Sequence, residues 1–325
     1  MLKITSIKLY GAQVMSDYET IRACYKVFLG REPENKSVVT ERSGLPLEDI
    51  LTGFLSSAEY NAKVPSQISE NYRAQPGRID VNVSNEKLQE MFQRIAEEWE
   101  QLGAEKPFWS VSTNEEFKSN VINDEIITRF YEAGGKDAAL IDVFSSRNEI
   151  EVARGGICVE LGSGVGRVTK HLAERFDTVI AVDISQSYLK ICESHLNACG
   201  IKNVEYMLLK NPKSINDVAP YDYFFSTIVL QHNPPPVQMY LLDKLLGKAK
   251  KRASALFQLP TSTLNYSFDV DQYLSSTERN MEMHCLPMHN VFRVLEKHKF
   301  STHEVRMDGW TGQYGSHTFF ATKQE

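Results

Sequence analysis

Apolar residues recur along the chain in two distinct rhythms. Tyr18, Ile21, Tyr25, Phe28 and Leu29, with Arg22 beside them, fall at helical spacing, as do Leu47, Ile50, Leu51, Phe54 and Leu55. Gly30 and Pro33 end the first of these helices. A third helical stripe runs through Leu88, Met91, Phe92, Ile95, Trp99 and Leu102, read as a packing face. Beyond residue 150 the rhythm changes to short apolar runs separated by helical stretches. Runs at 157–161, 178–183, 204–209, 223–230 and 253–258 predict five strands, and their alternation with helices predicts a parallel sheet. Runs at 302–307 and 317–322 predict a terminal strand pair.

The boundaries follow from these rhythms. Residues 1–64 hold a small helical domain. Residues 65–84, with Pro65, Pro76 and Gly77 among polar neighbours, read as a linker. Residues 85–149 form a helical lead-in and 150–325 the α/β domain. Pro107–Ser110 is expected as a turn, with Ser112 and Glu115 framing a capping box for the next helix. Residues 260–285 lack a period and read as an insertion at the mouth of the sheet.

The first strand carries the candidate chemistry. It reads Ile-Cys-Val-Glu-Leu, a charge inside an apolar run, and then Gly162, Ser163, Gly164, Val165 and Gly166. Gly162 suits a positive φ, and Gly164 and Gly166 clear space for a ligand or a neighbouring backbone. The third glycine comes one place too early for the Gly-x-Gly-x-x-Gly dinucleotide pattern, and position 167 is Arg. The second strand ends in Asp183, then Ile184 and Ser185, about twenty residues downstream of the glycines, where a carboxylate is placed to accept ribose hydroxyls.

Glu-x-Gly-x-Gly-x-Gly followed by Val182-Asp183 resembles the first two motifs of class I S-adenosylmethionine (SAM) methyltransferases, and the resemblance covers residues 150–325. It implies a seven-stranded Rossmann-like sheet with an antiparallel last strand. It also implies SAM as cofactor, held by Glu160 at the methionine ammonium and Asp183 at the ribose, with Gly162, Ser163, Gly164, Gly166, Ile184 and Gln231 beside it. Where the family often carries an acid or amide near the adenine, this chain has Lys210 and Asn211. The segment before the first strand often lies over the cofactor in this class, which makes Trp109, Phe117 and Tyr131 candidates for the pocket wall.

The fourth run delivers Gln231-His232-Asn233-Pro234-Pro235-Pro236 to the same crevice. A histidine here suits the removal of a hydroxyl proton, and Val229-Leu230-Gln231-His232 resembles the strand end of methyltransferases acting on small molecules. His232 is therefore the expected general base. His284, Tyr266 and Tyr273, in the insertion, are the expected acceptor contacts. Leu230 to Pro236, Phe257 to Thr261 and Met281 to His284 resemble stretches of bacterial methyltransferases associated with surface-glycan synthesis, which implies a sugar hydroxyl as acceptor. Tyr25 to Pro33 together with Phe54 to Tyr60 resembles a bacterial helical module of unknown function, found in glycan-handling proteins, which implies glycan-synthesis enzymes as partners. Two alternatives stay open: an N-methyltransferase using Asn233, and a non-catalytic SAM-fold protein that recruits another enzyme.

Composition narrows the field. Net charge is −6, so no basic field recruits nucleic acid. No apolar run has membrane-spanning length, and lysines break up the first eight residues, so no signal peptide is read there. Five cysteines without Cys-x-x-Cys spacing read as reduced thiols, and a cytoplasmic location is expected. Asp269 and Asp271 have no third partner at ligand spacing, so no metal is expected.

Overall fold

The computed structural model describes residues 15–63, 77–117, 123–152, 155–263, 265–279, 281–312 and 315–325. The chain divides into two compact units, Met1–Ala74 and Gln75–Glu325.

The first unit holds α1 (Tyr18–Leu29), α2 (Lys36–Thr40), α3 (Leu47–Ser56) and α4 (Ala58–Lys63). Asp17 caps α1 by accepting the Thr20 N–H, and Gly30 ends it in the left-handed conformation. Ile21, Tyr25, Leu29, Val39, Ile50 and Phe54 form its core. Arg31 grips both carboxylate oxygens of Glu59 at 2.7 Å, tying the end of α1 to α4.

The second unit opens with α5 (Asn85–Glu105), α6 (Pro107–Ser112), α7 (Asp124–Ala138) and α8 (Leu140–Arg147). Then come β1 (Ile157–Leu161), α9 (Thr169–Ala173), β2 (Thr178–Asp183), α10 (Gln186–Ala198), β3 (Val204–Leu208) and β4 (Tyr221–Ser226). The chain closes with α11 (Pro235–Lys248), β5 (Ala249–Ser262), α12 (Val270–Ser275), α13 (Met288–Lys297), β6 (Phe300–Asp308) and β7 (Gly315–Lys323). The seven strands lie in the order β3-β2-β1-β4-β5-β7-β6. β1 to β5 pair in parallel, and β7 runs antiparallel to both neighbours. This is the expected seven-stranded Rossmann-like sheet.

Both faces of the sheet's centre are covered, which is why β1, β2 and β4 are mostly buried, whereas the edge strand β6 carries Glu304 and Arg306. Side chains alternate across it. Val159, Val182, Phe224 and Phe257 pack under α5, α11 and α13, while Cys158, Val179, Tyr223 and Leu256 face α8 and α9. Strand order reverses between β1 and β4, so the crevice for a ligand opens at their carboxyl ends.

Several local expectations change. Pro107 begins a helix rather than a turn, because its missing N–H costs nothing at the first helical position. Thr113 ends that helix at φ 51°, Glu115–Phe117 makes only a 3-10 turn, and the next helix is capped instead by Asn123. The fourth strand stops at Ser226, short of Leu230, because Ile228 takes φ 59° and Leu230–His232 forms a 3-10 turn. The fifth runs longer, to Ser262, because β7 pairs along its length. The insertion is not without structure: Val270–Ser275 is helical, and Ile79 bridges Phe268. Of the expected linker, residues 65–76 lie outside the described residues, whereas 77–84 is bonded to the insertion through Gly77 to Tyr266 and Asp80 to Phe268.

Gly134 in α7 packs against the backbone that leaves the glycine turn. A Cβ there would stand 2.0 Å from the Arg167 carbonyl oxygen, on the glycine turn. Gly134→Ala gains about 1 kcal/mol of helix propensity, but the backbone contact outweighs it. We expect a net loss of about 1–3 kcal/mol in urea unfolding; a neutral or stabilised variant contradicts that approach.

Candidate active site

The glycine turn is shaped by its neighbours before any ligand is considered. Gly162, Gly164 and Gly166 have φ of 77°, 54° and 89°, a region that side chains avoid. The Gly162 and Ser163 N–H groups both donate to the Val182 carbonyl, at 2.7 and 3.2 Å. Added Cβ atoms would meet Val229 at 2.2 Å from Gly162 and the Cys192 sulfur at 2.6 Å from Gly166. At Gly164 the neighbour is Val111, at 3.1 Å. Two of the three glycines therefore serve close packing.

Asp183 closes the turn. Its carboxylate accepts the Gly164 N–H at 2.8 Å and the Ser185 N–H at 2.9 Å, one on each oxygen. Burial raises its pKa to about 6, against the opposing pull of those N–H groups. Glu160, at the end of β1, is 3 % exposed and its Oε2 has no hydrogen-bond partner. Burial pushes its carboxyl up to about 8, although the Arg167 guanidinium nearby favours ionisation. Arg167 itself pairs with Asp137. The buried Ser163 hydroxyl also lacks a partner.

These groups wall a cavity of about 400 Å³. Glu160, Gly162 to Gly164, Arg167, Asp183 and Ile184 line its inner part. Phe92, Ile95 and Trp99 of α5 and Ser110 to Thr113 at the end of α6 face them. Thr227 to Val229, Gln231, His232 and Asn233 line the side below β4, and Met281, Met283 and Trp310 complete it. Orphaned polar atoms on Glu160 and Ser163, set beside a side-chain-free turn, suit a ligand with a cationic and hydroxylated part. That is the chemistry of SAM, and the residues fit it.

The strand-four turn is built on Gln258. This buried β5 side chain accepts the Ile228 N–H at 2.8 Å and donates to Gln231 Oε1 at 3.2 Å and Ser316 Oγ at 2.5 Å. Those bonds hold Ile228, a β-branched residue, in the left-handed region beside the cavity, a position that costs of order 1–3 kcal/mol. His232 follows, its ring edge-on to Trp99 with centroids 5.0 Å apart. Its Nδ1 lies 3.3 Å from the Glu282 carbonyl oxygen and its Nε2 3.3 Å from Gln231 Nε2. Burial lowers its pKa to about 4, so the ring is neutral at physiological pH.

All the cofactor-side residues named from sequence except Gly166 line this cavity, and so does His232. His284, Tyr266 and Tyr273 do not. They gather instead behind the wall, where His284 bonds the Tyr266 hydroxyl at 3.1 Å and packs edge-on against Phe268 and Tyr273. Trp109, Phe117 and Tyr131 are likewise not among the lining residues; Phe117 and Tyr131 sit in a neighbouring apolar cluster. Sequence reasoning missed Trp99, Phe92 and Ile95, whose helical spacing is identical for a core face and a cavity wall. It also missed Trp310, for which no pattern signals a place at the mouth. Among the described residues no cluster of three or more potential metal ligands occurs, and no helix is long and apolar enough to cross a membrane.

In the ligand-free protein Glu160 folds protonated and unfolds ionised. Its contribution to stability therefore falls as pH rises from the ordinary 4.5 to about 8. Glu160→Gln, neutral throughout, flattens that fall in urea unfolding followed across the interval; an unchanged slope removes Glu160 as its source.

Residues 158–251 match the family model described as a methyltransferase domain. The ribosomal RNA small subunit methyltransferase A of Mycoplasma capricolum is 27 % identical over 104 residues, which make up 32 % of this chain; the chain spans 38 % of that relative's length. Magnesium protoporphyrin IX methyltransferase from Synechocystis PCC 6803, solved with bound SAH, shares the fold with a TM-score of 0.51 at 15 % identity, over 72 % of this chain and 100 % of that one. A SAM-dependent methyltransferase from Clostridium acetobutylicum gives a TM-score of 0.43 at 12 % identity, over 58 % and 92 %. Strand order and family match converge: residues 158–251 are similar to a methyltransferase domain, set in a sheet whose fold the chain shares with a methyltransferase solved with bound SAH.

Proposed function

We propose that the protein is a SAM-dependent O-methyltransferase and that His232 is its general base. One observation carries the proposal: a neutral imidazole in the cavity wall with one nitrogen already committed. Nδ1 faces a carbonyl oxygen and so carries the proton, which leaves Nε2 as the acceptor; the Gln231 amide N–H occupies it at 3.3 Å and gives way to the acceptor hydroxyl. A hydroxyl is a poor nucleophile until its proton begins to leave, and Nε2 can take it. When bound, SAM supplies a methyl group on a positively charged sulfur. Glu160 would hold its ammonium end and Asp183 its ribose, with Ser163 and Ile184 alongside. An ammonium beside Glu160 would draw the buried carboxyl back to its ionised form.

The acceptor we favour is a sugar hydroxyl. The cavity volume suits one cofactor-sized ligand, so an acceptor presents its reacting end only. Trp310, 36 % exposed and lining the cavity, offers an indole face to the apolar side of a sugar ring. Assignment to surface-glycan synthesis, with partner enzymes met through the helical unit, rests on the sequence resemblance. Nitrogen methylation through Asn233 is the second reading. The Asn233 side-chain nitrogen donates to the Val229 carbonyl at 3.0 Å and its backbone carbonyl accepts from Gln238 at 2.7 Å, so of the two acceptors that reading needs the backbone one is already engaged.

His232→Ala should retain SAM binding in calorimetry and lower kcat by about 10²–10⁴-fold. Undiminished turnover eliminates the base role, and a larger loss in Asn233→Ala favours nitrogen methylation. The wild-type pH profile supplies a separate check. The base works only when neutral, so the acid limb should fall near the His232 pKa of about 4, well below that of a free histidine.

A further inference from the structure

His232 does not hold its own tautomer. The carbonyl that faces Nδ1 belongs to Glu282, in a stretch that is neither helix nor strand. Backbone carbonyls in such a stretch need donors from elsewhere. One buried side chain supplies several at the start of this stretch. Arg94, in the middle of α5 and 5 % exposed, donates to the carbonyls of Tyr273, of Ser276 at 3.0 Å and of Glu278 at 2.8 Å. It also reaches Glu282 Oε1 at 3.1 Å, and its guanidinium lies over the Tyr273 ring, 4.0 Å from the centroid. The neighbouring Glu98 accepts the Met281 N–H at 2.7 Å, at a residue whose φ is 49°. A methionine stays in that region only where its surroundings enforce it.

We propose that Arg94 is a positioning residue for the reaction: it gathers the end of the insertion so that the Glu282 carbonyl fixes His232 with Nδ1 protonated and Nε2 toward the cavity. The proposal rests on the general-base reading of His232. The guanidinium suits the task because its planar fork addresses several oxygens at once, and its charge strengthens each bond. A lysine would serve fewer of them. On the opposite flank of α5, Glu100 holds the cofactor-side turn, accepting from Ser185 Oγ at 2.7 Å and Ser187 Oγ at 2.6 Å. Loss of Arg94 therefore loosens the base and leaves the cofactor half in place.

The test uses the full chain labelled with ¹⁵N-histidine. The His232 signal is assigned by its loss in H232A. In the wild type its shifts should report the Nδ1–H tautomer. In Arg94→Met that tautomer should lose population, kcat should fall by about 10–100-fold, and SAM affinity by calorimetry should stay within about threefold of wild type. Arg94→Lys should lie between the two and decides the matter by the same readouts if the methionine variant does not fold. A folded variant with wild-type tautomer and kcat overturns the proposal. If H232A keeps its turnover while Arg94→Met still shifts the tautomer, the base reading has failed and the positioning of the ring stands.

Discussion

The site depends on the Asp183 carboxylate and the two backbone N–H groups it accepts, from Gly164 and Ser185. Those bonds lock the turn after β1 to the turn after β2, at the point where strand order reverses. Charge-assisted bonds of this kind are worth about 1.5–3 kcal/mol each. With the turn fixed, β1 carries Glu160 to a place where one oxygen finds no partner within the protein. The fold thus holds a carboxyl in an environment that favours its neutral form. A cationic ligand would compensate that cost.

The second half of the cavity is assembled differently. β4 ends early, and Gln258 of the neighbouring strand holds its strained turn in place. His232 then leans on Trp99 from one side and on the Glu282 carbonyl from the other. Neither contact is local in sequence. The helix α5 joins the halves, with Glu100 on the cofactor-side turn and Arg94 and Glu98 on the insertion. A single helix that bonds both halves while lining the cavity sets the spacing between them.

Asp183 also corrects a simple view of acidic residues at strand ends. Expected as a ribose contact, it lines the cavity with both oxygens already accepting backbone N–H groups. A carboxylate offers about four lone-pair sites, so structural and ligand contacts are compatible. The same carboxylate shapes the turn and borders the cavity.

What the sequence determined was whatever depends on local periodicity and on backbone freedom. Alternating apolar runs gave the strands, and glycines at every second place marked a turn that only glycine tolerates. The acids at the ends of β1 and β2 stood out because a charge inside an apolar run has few structural reasons. The early end of β4 and the placement of His284, Tyr266 and Tyr273 were decided elsewhere. A tyrosine in an aperiodic stretch has no local rule to say which way it faces; here Phe268, Arg94 and His284 draw that group behind the cavity wall. Trp99 could not be told from a core residue, because a helix face looks the same whether a sheet or a cavity lies beneath it. Tertiary structure made those choices, since each depends on contacts between separate segments, from Ile228 with Gln258 to Trp99 with His232.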